Sequence, residues 1–150
     1  MAFTGAEETD HYGLRSILVA QPQEMSQAVF IDLEGVGSEE ISYVTRHGIG
    51  LHYYPDEALI KLAQKIAQEN LDWEIRGEKM VMSEEVSTLT HLGFRALCIS
   101  GRDPLTGGMS KWHQTDDIVE YLNPFSLLKA KNYTRALLQA IDQEEAIQGG

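Results

Sequence analysis

The 150-residue chain is short of cysteine, proline and positive charge, and each shortage closes off a class of function. Cys98 is its one cysteine, so neither a disulfide framework nor a cysteine-based zinc finger is available. Lys and Arg number 12 against 23 Asp and Glu, a formal net charge of −11. That balance argues against nucleic acid or an anionic membrane as the main partner, since basic patches hold both. No apolar run approaches the roughly 20 residues that cross a bilayer, and no signal peptide is visible. The compartment is left open, the cytoplasm being the expectation if the chain is natural. What is present, 43% apolar and 23% charged residues, is ordinary material for one domain with a buried core.

Residues 2–5 read as the end of a strand, and 10–21 as a short helix carrying Leu14, Ile17 and Leu18. The run AVFIDLEGVG, 28–37, reads as a buried strand before two glycines, because Val29, Phe30, Ile31 and Leu33 leave it nearly continuously apolar. ISYVTRHG, 41–48, alternates as an edge strand does. Pro55 introduces a helix through DEALIKLAQKIAQEN, with Leu59, Leu62, Ala63 and Ile66 on one face. A short helix over 83–93 takes Ser83 as cap and Gly93 as stop. FRALCISG, 94–101, is a second buried strand, and a glycine-rich loop over 101–110 follows it. Asn123 and Pro124 open the last helix, whose stripe is Ala130, Thr134, Leu137, Leu138 and Ile141. Strands alternating with helices predict a three-layer α/β fold, a mostly parallel sheet flanked by helices.

Acids or imidazole stand just past a strand or in a loop at three places: Glu7 with Glu8, Glu34, and His113 with Asp117. Adjacent glutamates taken alone are usually solvated surface. His113, behind Trp112 in a glycine-containing loop, divides evenly between surface residue and ligand. Glu34 is the stronger signal. Phe30, Asp32 and Glu34 share one strand face, and acids held there need a cation or hydrogen bonds. Among the other histidines, His11 reads as helix surface, His47 and His52 as loop residues flanking a glycine turn, and His91 as a satisfied or exposed helix residue. Cys98 reads as inert core, and Trp112 and Tyr121 as pocket-lining or packing residues.

Taken together and in this order, the segments resemble the co-catalytic zinc peptidases, the family of bacterial leucyl aminopeptidases, glutamate carboxypeptidase II and, more distantly, glutaminyl cyclase. AFTGAEE matches the strand that carries the family's paired glutamates, and VFIDLEGVG its next strand, ending in an acid and a glycine turn. GFRALCIS and WHQTD match its later apolar strand and its His-x-x-x-Asp loop. The likeness covers essentially the whole chain, as the carboxyl-terminal half of a peptidase domain. It departs from the family in Glu34, where an aspartate is usual. The stretch TDHYGLRS is longer than the compact family turn, and SEE at 83–85 stands in place of SDH.

The resemblance implies a role for each matched residue. Glu7 would be the general base, Glu8 and His113 ligands of one zinc, Glu34 a ligand of a second, and Asp117 a residue orienting a ligand. Two zinc ions would be the cofactors and a peptide with a free amine the substrate. The family's other histidine and its bridging aspartate precede the paired glutamates, and these 150 residues supply no counterpart, so this chain is expected to be inactive alone. A non-catalytic binding or assembly module with the peptidase fold is the alternative, and an acyltransferase like glutaminyl cyclase a further one. A sheet edge left uncovered by a missing half would also make the chain a homo-oligomer.

Overall fold

In the computed structural model, which describes residues 2–37, 40–48, 50–82 and 84–148, the order is two helices, two strands, then a helix, strand, helix, strand and final helix. These are α1 (Tyr12–Ala20), α2 (Pro22–Met25), β1 (Val29–Glu34), β2 (Glu40–Arg46), α3 (Glu57–Glu69), β3 (Arg76–Lys79), α4 (Glu85–His91), β4 (Arg95–Arg102) and α5 (Pro124–Gln148). The four strands form one sheet in the order β1-β4-β2-β3. Two of its three pairings are parallel, β1 with β4 and β2 with β3, while β2 runs antiparallel to β4. Helices cover both faces, as expected for a three-layer α/β fold.

Alternation along the strands sorts the core into two clusters. Ile41, Tyr43, Leu97 and Ile99 turn to one face and pack against Leu59, Leu62 and Ile66 of α3 and Tyr133 and Leu137 of α5. Val44, Ala96 and Cys98 turn to the other and meet Leu14 of α1 and Val86 and Leu89 of α4, with Phe30 alongside. Each large side chain fully buried here contributes about 1.5–3 kcal/mol. Asp56 caps α3, its carboxylate accepting from the Leu59 amide at 2.9 Å. Cys98 is buried and free, as the sequence suggested.

Several elements differ from the sequence expectation, each for a physical reason. β2 is internal rather than an edge, because Ser42 is small enough to be buried and donates to the Ser100 carbonyl at 3.4 Å. The true edges are β1 and β3. β1 is therefore only half-buried, with Leu33 exposed. Residues 2–5 form no strand, since the Gly5 carbonyl accepts from Gly13 and the Ala6 carbonyl from Tyr12. The first helix starts only at Tyr12, because Asp10 and His11 hold φ of 60° and 54°, outside the right-handed helical region. The buried stripe of α5 is Ala130, Tyr133, Leu137 and Ile141, with Thr134 displaced from it and Leu138 exposed. Tyr133 can be sealed in because its hydroxyl donates to the Ala63 carbonyl at 2.8 Å. Gly93 closes α4 with φ of 84°, whereas the expected cap Ser83 lies outside the described residues.

Candidate functional site

The carboxyl ends of the parallel pair β1 and β4 set the place of the site, as strand ends do in open α/β sheets. Three segments reach it: the loop 5–13, the turn after Glu34, and the loop that follows β4. Gly35 makes the middle turn possible. Its φ is 55°, and a β-carbon there would sit 2.5 Å from Met109 Sδ.

The two outer loops are strained. Of the six non-glycine residues at positive φ among the described residues, Ala6, Asp10 and His11 lie in the first loop and Lys111 and His113 in the last. Each costs about 1–3 kcal/mol, and such strain gathers where a chain must present side chains rather than relax.

Glu7, Glu8, Glu34 and Glu84 line one cavity of about 250 Å³ with Met82, Met109 and Trp112, and among the described residues no Lys or Arg lines it. His113 Nε2 meets Glu8 Oε1 at 2.9 Å, so the two residues matched to one zinc are in contact. The Trp112 ring stands edge-on to His113, centroids 4.3 Å apart. Glu34 joins from the opposite strand. Asp117 takes a different place: it is exposed, lines an adjoining cavity of about 470 Å³, and has no hydrogen bond to His113 among the described residues. That larger cavity shares Glu34, Met109 and Trp112 with the smaller one and continues over Val36, Ile118, Tyr121, Leu122 and Leu127. Lys111 stands at its side, ion-paired to Asp116 and 3.6 Å from the centre of the Tyr121 ring.

Behind the cavity lies an acidic cluster. Burial and the charges of Glu85 and Glu84 push the Asp32 carboxyl up to about 7. Burial, then Asp32 and Glu7, push Glu34 to about 7 as well. His47 corrects its assignment as a loop residue: it closes β2 through a bridge to Tyr53, is wholly buried, and pairs through Nδ1 with Glu84 Oε2. Asp32 Oδ2, Glu84 Oε1, Glu85 Oε1 and His47 Nε2 are all sealed from solvent without a partner among the described residues. His11 also departs from expectation, being buried rather than on the helix surface, with its ring between Glu7 and Thr88. His91 is exposed, edge-on to Tyr53.

The donor types suit zinc, carboxylate and imidazole alike. Their number falls short: among the described residues no three His, Cys, Asp or Glu side chains converge as a metal-holding group. Sequence reading found Glu7, Glu8, Glu34 and His113 but passed over His11, His47, Glu84, Glu85 and Thr88. The Glu pair was visible in SEE at 83–85; nothing in the sequence pointed to His47 beneath it.

Compared with known proteins, the chain matches no family model, and no curated protein matches it at a significant level.

Proposed function

We propose that this chain carries the base and part of the metal-holding set of a zinc-dependent aminopeptidase-type hydrolase. The observation that carries the reading is that Glu7, Glu8 and Glu34, from separate segments, line one cavity with no Lys or Arg among the described residues of its wall, and that His113 contacts Glu8. Glu8 and His113 would hold one zinc and Glu34 would face a second. The remaining ligands would come from polypeptide outside these 150 residues. When bound, the ions would acidify a water and stabilise the oxyanion of the attacked carbonyl. Glu7, on the cavity wall, would take the proton from the attacking water and return it to the leaving amine. The adjoining cavity, with its apolar wall of Val36, Ile118, Leu122 and Leu127, would receive a substrate side chain.

The shortage of a third donor favours a second reading, a module that keeps the fold as a binding or assembly surface. Hydrolysis of leucyl-4-nitroanilide with and without added zinc separates the two. Once the remaining ligands are supplied, peptidase function predicts zinc-dependent release of nitroaniline that falls by at least about 100-fold in Glu7→Gln, without loss of zinc. Equal release by that variant would overturn the role of Glu7. Zinc uptake that is indifferent to Glu8→Ala and His113→Ala would assign the chain to the second reading.

A further inference from the structure

The loop 5–13 brings His11 beneath Glu7 in a geometry the paired glutamates do not themselves need. The His11 amide donates to the Glu7 carbonyl at 2.9 Å, closing a turn in which the two side chains point the same way. His11 Nε2 then lies 3.3 Å from Glu7 Oε1, and Nδ1 lies 2.7 Å from Thr88 Oγ1 on α4. His11 and Thr88 are both 8% exposed, so their contact is shielded from water, while the Glu7 side chain stays 40% exposed and open to the cavity. The ring reaches this place only because Asp10 and His11 both adopt left-handed backbone conformations, for which neither is glycine.

From this arrangement we infer that His11 is a positioning residue, bracing Glu7 against α4 through Thr88. The inference rests on Glu7 being the proton acceptor proposed above. We take the Thr88 hydroxyl, whose one side-chain hydrogen bond among the described residues is to His11 Nδ1, as the donor to that nitrogen. That sets the neutral tautomer with hydrogen on Nε2, the atom that faces Glu7 Oε1 at 3.3 Å. One oxygen of Glu7 then faces the ring, and Oε2 is left to accept a proton from water in the cavity. Thr88, His11 and Glu7 form a chain in which the middle imidazole orients an ionised carboxylate and does not touch substrate.

The tautomer is read directly from long-range nitrogen–proton correlation spectra of the imidazole in the 150-residue protein. The expected result is a neutral His11 ring protonated on Nε2, a preference lost in Thr88→Val and a changed Nε2 resonance in Glu7→Gln. A ring protonated on Nδ1, or one indifferent to both substitutions, would overturn the inference whatever the hydrolysis assay shows. Where zinc-dependent turnover is present, His11→Ala should lower kcat by about 10–100-fold at unchanged KM. His11→Gln, whose amide nitrogen takes the place of Nε2, should restore most of it. Full kcat in His11→Ala would also overturn the inference. The relay in a protein whose zinc-dependent turnover is indifferent to Glu7→Gln would leave the brace intact and refute the role of Glu7 alone.

Discussion

Asp32 and Glu34 stand two residues apart on one strand face, and both are pushed up to about 7. A carboxyl whose folded pKa is raised contributes stability while it is protonated. For Asp32 that contribution is complete below about pH 4 and is lost as pH rises through about 7, where the fold must hold a buried carboxylate near Glu84 and Glu85. The size is on the order of 2–4 kcal/mol. Asp32→Asn, which keeps the shape and cannot ionise, should therefore raise Tm relative to the unsubstituted protein at pH 8 and change it little at pH 5. Scanning calorimetry at the two pH values checks this; an equal shift at both would show that the carboxyl is not held protonated. At this scale the sequence was legible only in part. The Phe30-Asp32-Glu34 face followed from the two-residue period of a strand. His47 did not, because its burial depends on Glu84 arriving from α4, 37 positions away in sequence.

At the scale of elements, the loop 5–13 decides whether Glu7 and His11 meet. Its closure depends on Gly13, whose amide donates to the Gly5 carbonyl at 3.1 Å. A β-carbon at Gly13 would fall 2.2 Å from that same oxygen, a backbone atom that cannot swing aside. Gly13→Ala should open the loop, and the amides of His11, Tyr12 and Gly13 should exchange with deuterium about tenfold faster or more, while those of β4 keep their protection. Unchanged exchange at His11 would mean that the closure is set elsewhere. This loop also shows why residues 2–5 misled. AFTG has the composition of a strand end, yet the Gly5 carbonyl is taken by Gly13 and that of the next residue, Ala6, by Tyr12, a tertiary choice that local propensity does not encode. α3 was legible through its apolar stripe, a local signal, although its start is set by the cap Asp56 rather than by Pro55 in the first turn.

At the scale of the whole molecule, the sheet has two unlike edges. β3 is short and charged, its Arg76 and Glu78 joined to Glu40 and Arg102 in an ion-pair network, features that discourage pairing with another chain. β1 is longer and mostly apolar, and its outer side pairs with no strand among the described residues. Self-association through β1 predicts a dimer or larger species by sedimentation at micromolar concentration, reduced by Ile31→Pro, which removes an edge donor. A monomer throughout the concentration range would contradict it. No helix of the described residues is long and apolar enough to cross a membrane. Layering and helix order were legible from alternation alone; the direction of β2 was not, because antiparallel pairing with β4 depends on how the chain returns after β1. Glu7, Glu8 and Glu34 line one cavity and His113 contacts Glu8, while Asp117 lies in the adjoining cavity. The most direct test of the central claim is zinc bound per chain, measured by elemental analysis after gel filtration, for the unsubstituted protein, Glu8→Ala and His113→Ala. Retained zinc that falls by at least half in either variant is the predicted result; no zinc, or zinc indifferent to both substitutions, would contradict it.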